Sequence, residues 1–302
     1  MYRLFIIPAL AFFLVTQSYA QNNGYVSSDG VNIHYRVFGK GKPLLIINGG
    51  PGMNSDGFVS IARTLAKGYQ TIIFDQRGTG KSFVSNPNST NITMDLMVKD
   101  MEAIRKKLGF DSWVVFGQSF GGMLASYYAT KYPNAIDGLI LSALGGLDLA
   151  DLSHINIMGR LTRAQQDSVN FWASRIASGD TTFYARYQRG KFLAPAYLYN
   201  TSHVPVIAER LTQGNQQINA LVFGDLNRIR YNTKSKLRSF KKPVLIIHGE
   251  QDIIGTYVPK AAHSIFPNSK LVLIENSGHY GWLDQPDIYL KEVFDYLRLV
   301  QQ

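Results

Sequence analysis

Apolar residues fall into two patterns along this chain, short continuous runs and helical three- or four-residue steps. Over most of the length the two alternate. Runs with little polar interruption occupy 44–47, 71–74, 113–116, 139–142 and 243–249. Such runs suit strands covered on both faces, as in a parallel sheet. Residues 31–38 alternate instead, with Val31, Ile33, Tyr35 and Val37 on one face, and 24–26 is a strand-like piece before them. These predict a half-exposed, antiparallel start to the sheet. Helical segments separate the runs at 56–67 and 93–108. In the second, Met94, Met97, Val98, Met101, Ile104 and Leu108 recur at helical steps. That stripe reads as packing against the sheet, since methionine fills irregular core space. A helix at 259–266, a strand at 270–274 and a helix at 286–300 complete the alternation. From about 147 to 240 it stops, leaving helix-like segments rich in Arg, Gln, Asn and Tyr. The predicted fold class is α/β, a mostly parallel central sheet with helices on both faces. Its core is built from 21–146 and 241–302, and a helical cap, 147–240, is inserted before the 243–249 strand.

Composition adds a boundary at the start of the chain. Of 302 residues, 45% are hydrophobic and 17% charged, which suits one large domain carrying an insertion and excludes a disordered chain. Residues 1–20 stand apart. Arg3 gives a positive start, 4–15 is apolar, and Ser18-Tyr19-Ala20 supplies small residues for cleavage ahead of polar Gln21-Asn22-Asn23. This is a signal-peptide pattern, predicting export to the periplasm or medium of a bacterium and no stable membrane insertion after cleavage. The alternative, an uncleaved anchor, is disfavoured by the short apolar run. Without cysteine the chain has no disulfides. The formal charge is +10, with basic clusters at 105–107 and 234–242. Neither is interleaved with exposed aromatics in a nucleic-acid module, so we expect solvated basic faces and no nucleic-acid partner.

Candidate chemistry enters at Gly117-Gln118-Ser119-Phe120-Gly121-Gly122, between the 113–116 run and a helix-like stretch at 123–131. A strand, a sharp turn and a helix are what a nucleophile elbow requires. The glycines let the elements approach, and Ser119 is held strained with its hydroxyl exposed. A serine hydroxyl needs a base, and an oriented imidazole needs a carboxylate. Asp252 follows the strand ending at Gly249, and His279 follows the strand ending at Ile274. The order serine, acid, histidine, on loops that gather at one carboxyl edge, makes Ser119, Asp252 and His279 the candidate triad. Glu250 is the competing carboxylate. Of the other histidines, His34 sits in the first hairpin, His154 and His203 in the insertion, and His263 on a surface helix. His248 ends a strand and reads as a packed, hydrogen-bonded core residue.

An oxyanion hole needs two backbone N–H groups, which we assign to Phe120 and to Gly50 in the Asn48-Gly49-Gly50-Pro51-Gly52 loop. The segment Arg77-Gly78-Thr79-Gly80-Lys81-Ser82 ends like a phosphate-binding loop. Asp75, however, stands where that motif needs its first glycine, which excludes nucleotide binding. No metal-ligand spacing is present, and no cofactor is expected.

Taken together, the Asn-Gly-Gly-Pro-Gly loop at 48–52, the Asp75-Gln76-Arg77-Gly78-Thr79-Gly80-Lys81-Ser82 segment, the elbow and Gly278-His279 followed by Asp284-Gln285-Pro286 resemble proline iminopeptidases and their relatives. These are serine peptidases of the α/β-hydrolase superfamily, and the resemblance covers 25–146 and 243–302. It implies the same triad, a cap over the site, and acidic cap residues that hold the substrate's free amino group. Two positions depart from the family. Asn48 replaces the usual histidine, though asparagine can still brace the loop by hydrogen bonding. The cap has few acids, Asp148, Asp151, Asp167, Asp180, Glu209 and Asp225. Glu209, its one glutamate, is the candidate amino-group anchor. The expected function is an exported serine hydrolase cleaving a peptide or amide bond at the N-terminus of short peptides through an acyl-enzyme. A carboxylesterase or other small-ester hydrolase on the same triad is the alternative, and a non-catalytic ligand-binding protein is the third. The expected partner is a small peptide or ester.

Overall fold

The computed structural model describes residues 22–300, so the leader expected over 1–20 lies outside the described residues. The alternating pattern becomes one eight-stranded sheet. Its strands are β1 (Asn22–Ser28), β2 (Val31–Phe38), β3 (Pro43–Ile47), β4 (Gln70–Phe74), β5 (Trp113–Gln118), β6 (Ile136–Ser142), β7 (Val244–Gly249) and β8 (Ser269–Ile274). In space they run β1-β2-β4-β3-β5-β6-β7-β8. The first two strands form the antiparallel start, and every pair from β4 onward is parallel. Asp29-Gly30, both at positive φ (+43° and +77°), make the two-residue turn between β1 and β2, a pairing whose twist matches a hairpin.

The continuous apolar runs divide by alternate positions between two core layers. Leu45, Ile47, Ile72, Phe74, Val115, Leu139, Leu141 and Ile246 face one layer. Leu44, Ile46, Ile73, Val114, Phe116, Ile140, Leu245 and Ile247 face the other. This is why the pattern lacks polar interruption: both sides of each strand leave water. The methionine stripe lies on Met94–Lys107, where Met94, Met97, Val98, Met101 and Ile104 are buried as expected. Thr93 caps that helix by accepting from the Leu96 N–H. The basic cluster Arg105, Lys106 and Lys107 forms its last turn, where cations oppose the carbonyl end of the helix dipole.

The insertion contains helices and, among its described residues, no strand of the sheet. Its two halves are held differently. Helices Arg163–Ala177 and Phe183–Leu193 rest on a small cluster of Leu161, Val169, Leu193 and Ala196. Helix Gln216–Arg228 instead drives Ile218, Val222 and Leu226 into the main core. Just beyond it, the Tyr231 hydroxyl donates to Met123 O at 3.0 Å. No helix among the described residues is long and apolar enough to cross a membrane.

Candidate active site

The chain reverses direction across the sheet between β3 and β5, which are neighbours in space. Loops at the carboxyl ends of such strands open into a crevice. Ser119 stands there, at the first bend after β5, with φ +56° and ψ −119°. That backbone region is costly for a residue with a side chain, about 1–3 kcal/mol, so its surroundings must impose it. They do so by crowding. A Cβ on Gly117 would lie 2.3 Å from Gly121 O, and one on Gly121 would lie 2.2 Å from Ile47 O. The Ser119 N–H also donates to Ser142 O at 2.9 Å, and Gly122 N–H returns to Ser119 O at 2.9 Å. The elbow is thus locked from strand, helix and neighbouring strand.

Register brings the acid and base together. Gly249 pairs with Ile274, so the loops after β7 and β8 leave the sheet at one level. His279 Nδ1 and Asp252 Oδ1 are 2.8 Å apart, both buried. The Ile254 N–H donates to the same Asp252 oxygen at 3.0 Å. Burial by itself would raise the Asp252 pKa. The facing imidazoles of His279 and His248, with the hydrogen bonds from His279 and the Ile254 N–H, outweigh it and hold the carboxyl below its ordinary value. Glu250, the competing carboxylate, is exposed just past the end of β7, and the carboxylate that meets the His279 ring is that of Asp252. His248 is buried and its Nε2 is 2.8 Å from Ile254 O, the packed role expected of it. Burial lowers its pKa against the weaker pull of Asp252.

The loop after β3 presses on Ser119: a Cβ on Gly49 would sit 2.9 Å from Ser119 Cβ. Gly50 has φ +69°, a conformation that favours glycine. Asn48 braces the loop as its amide allows, donating from Nδ2 to Gly49 O (3.1 Å) and Met53 O (3.0 Å). Gln76 Nε2 donates to Asn48 O at 2.9 Å, tying the loop to the segment after β4. Phe120 is the first residue of helix Phe120–Lys131, where an N–H has no carbonyl within its own helix. Phe120 directly follows Ser119, and Gly50 lies in the loop whose Gly49 presses on it.

The phosphate-loop decoy has a physical explanation. The Asp75 carboxylate occupies the turn itself, accepting from Lys81 N (2.9 Å), Ser55 N (2.9 Å), Ser55 Oγ (2.7 Å) and His34 Nδ1 (3.0 Å). The burial of this carboxyl is outweighed by those donors, which lower its pKa. The protein's own anion fills the cradle.

Glu209 lies exposed on helix Val204–Leu211, while its neighbour Arg210 is the residue turned into the protein. The cap aspartates are all committed to cations: Asp148 and Asp151 to Lys234, Asp167 to Arg163, Asp180 to Arg175 and Asp225 to Arg228.

Sequence reasoning missed the residues that tie the cap to the loops carrying the candidate triad and oxyanion-hole residues. Arg160 donates to Ala196 O (3.0 Å), Asp252 O (3.0 Å) and Gln251 O, gripping the acid loop. Asp284 accepts from Gly278 N (2.7 Å), Tyr199 N (3.1 Å) and Asn200 N (2.8 Å), joining the histidine loop to the cap. Arg210 Nη2 donates to Gly49 O at 2.9 Å. Asp284 had a signal, its place in the Asp-Gln-Pro motif. The two arginines had none, because ordinary solvated arginines surround them in the sequence.

Among the described residues no group of three or more His, Cys, Asp or Glu side chains could hold a metal ion. A depression of 510 Å³ lies at the amino ends of the strands, beside Pro43, Ser112 and Asp137. That is the edge opposite the catalytic loops, so we assign it no chemistry.

The alpha/beta hydrolase fold family matches residues 42–286, spanning the elbow, the acid and the histidine. The chain belongs to the alpha/beta hydrolase fold family. Among characterised relatives of this alpha/beta hydrolase, the proline iminopeptidase of Clostridioides difficile (strain 630) is 28% identical over 290 residues, covering 91% of this chain and 97% of that protein. The proline iminopeptidase of Saccharolobus solfataricus is 27% identical over 302 residues, covering 95% and 96%. An alpha/beta fold family hydrolase from Bacillus anthracis str. Sterne superposes with a TM-score of 0.75 at 21% identity, covering 91% of this chain and 99% of that one. The protein is a hydrolase, and its sequence places it beside the proline iminopeptidases.

Proposed function

We propose that this alpha/beta hydrolase removes an N-terminal residue, proline foremost, from short peptides through an acyl-enzyme on Ser119. The observation that carries the reading is the 2.8 Å His279–Asp252 pair set at the same sheet edge as the strained Ser119. In the first step Ser119 Oγ bonds to the substrate carbonyl carbon and its proton passes to His279 Nε2. Asp252 holds the imidazole by Nδ1 and stabilises its charged form. The carbonyl electron pair moves to oxygen, which accepts hydrogen bonds from the Phe120 and Gly50 N–H groups. The pair returns, the C–N bond breaks, and the amine leaves with the proton from His279. Water then adds to the acyl-enzyme, giving its proton to His279, and collapse restores Ser119 and frees the acid. The 1–20 leader supports an exported enzyme working on peptides outside the cytoplasm.

One observation favours a second reading, a small-ester hydrolase on the same triad. Every cap aspartate is ion-paired, and Glu209, the remaining cap carboxylate, is exposed to solvent, so no cap carboxylate is both buried and unpaired. A fluorophosphonate probe should label the wild-type protein and not Ser119→Ala. Aminoacyl arylamides, assayed against short-chain nitrophenyl esters, then separate the readings. Ester turnover with no arylamide turnover at any pH ends the peptidase assignment, and a wild-type protein that resists the probe ends the serine-hydrolase mechanism.

A further inference from the structure

Arg210 is almost wholly buried, at 3% exposure, yet no carboxylate hydrogen-bonds to it among the described residues. Its donors go to carbonyl oxygens: Nη2 to Gly49 O (2.9 Å), Nη1 to Asn54 O (2.6 Å) and to the Gln213 amide oxygen (2.5 Å). Nε has no partner. The guanidinium lies 5.3 Å from the Phe58 ring centroid, so one face is met by an aromatic π-system. Room for its stem comes from Gly57, where a Cβ would stand 2.3 Å from Arg210 Cδ.

A buried cation without a counter-ion is expensive, so its position calls for a role. Gly49 O and Asn54 O bracket the turn that contains Gly50, and Gly49 is pressed against Ser119. A peptide plane held at its oxygen cannot rotate, and the plane of Gly49 O carries the Gly50 N–H at its other end. Two further donors act on the same turn from the core, Asn48 Nδ2 on Gly49 O and Met53 O, and Gln76 Nε2 on Asn48 O. From the insertion, Asn219 Nδ2 donates to Pro51 O (2.9 Å) and the Asn215 N–H to Gly52 O (2.9 Å), while Arg210 is the insertion residue that holds Gly49 O.

We infer that Arg210 is a positioning residue which fixes the Gly49–Gly50 peptide plane and so aims the Gly50 N–H at the developing oxyanion. Docking of the cap helix and completion of the oxyanion hole are then one event. This rests on the serine-hydrolase reading above.

The test uses the full chain with four variants: Arg210→Ala, Arg210→Lys, Gly57→Ala and Ser119→Ala. Gly57→Ala displaces the arginine stem while keeping its charge. Loss of an oxyanion donor lowers kcat by about a hundredfold or more, and misaiming one should lower it by about ten- to a hundredfold. Arg210→Ala and Gly57→Ala should therefore lose kcat with KM changed less than about threefold, and should react more slowly with the fluorophosphonate probe. Millimolar guanidinium should restore part of kcat in Arg210→Ala and nothing in Ser119→Ala, which a merely structural defect would not show. Arg210→Lys, one donor in place of a fork, should fall between wild type and Arg210→Ala. If Arg210→Ala does not fold, Gly57→Ala and Arg210→Lys carry the same comparison. Equal probe rates in wild type and the folded variants overturn the inference. So does a loss expressed only in KM. Failure of wild type to label overturns the serine-hydrolase reading instead.

Discussion

Among the described residues, the two most deeply buried arginines, Arg77 (0% exposed) and Arg210 (3%), are treated in opposite ways. Arg77, at the end of β4, meets the Asp100 carboxylate through Nε (3.0 Å) and Nη2, with both side chains fully buried. Arg210, in the seam between cap and core, meets carbonyls and an amide. The first arrangement neutralises charge and joins helix Met94–Lys107 to β4 and, through Ser28 O, to the end of β1. The second has no carboxylate hydrogen-bonded to it among the described residues and instead ties the loop beside Ser119 to the cap. The difference teaches how to separate a structural arginine from a functional one: by what its donors accomplish, since burial is the same.

The largest effect that would sharpen this contrast comes from the core pair. Asp100→Leu strands a buried guanidinium and should destabilise the fold by about 3–5 kcal/mol. Replacing both partners, Arg77→Met with Asp100→Leu, should recover most of that. Urea titrations measure both, and turnover per folded molecule should stay near wild type. Arg210→Ala should instead cost about 1–3 kcal/mol for the stranded carbonyls, with its main loss in turnover. Equal behaviour of the two arginines would break the comparison.

A smaller effect concerns buried charge avoided altogether. His248 has its pKa lowered by burial from the ordinary 6.5. The unfolded chain therefore binds the proton more readily, and stability is full above about pH 6.5 and lost as pH falls below it. The slope from this one site cannot exceed about 1.4 kcal/mol per pH unit. His248→Gln should flatten the fall in the urea midpoint between about pH 7 and 5. An unchanged slope would mean that His248 is not held neutral. The smallest effect belongs to Glu209. Exposed on the cap, Glu209→Gln should shift stability by less than about 0.5 kcal/mol and leave peptide KM unchanged. A marked rise in KM with peptides, and none with esters, would restore it as an amino-group anchor.

Much of the sheet was legible because its signal is local. An uninterrupted apolar run has few places to go but between two covered layers, and β3 to β7 appear where those runs lie. Chain order and strand ends likewise set Asp252 beside His279, since parallel strands return each following loop to the same edge. The cap resisted for the opposite reason. Helix Val204–Leu211 buries Ile207, Ala208 and Arg210, and an arginine beside apolar positions reads from sequence as a solvated edge until packing encloses it. The small cluster around Val169 also leaves little buried surface to dictate orientation.

By itself, then, the sequence determined the period of each core element, the glycines that permit a strained serine, and the order in which serine, acid and histidine arrive at one edge. These depend on neighbours a few residues apart. Only the tertiary structure decided that Asp75 fills the phosphate-like turn and that Arg160, Arg210 and Asp284 bind the cap to the loops after β3, β7 and β8. Those bonds join residues from far-apart parts of the chain, as from Arg210 to Gly49 or from Arg160 to Asp252. Their donors and acceptors are ordinary until packing removes the water that would otherwise satisfy them.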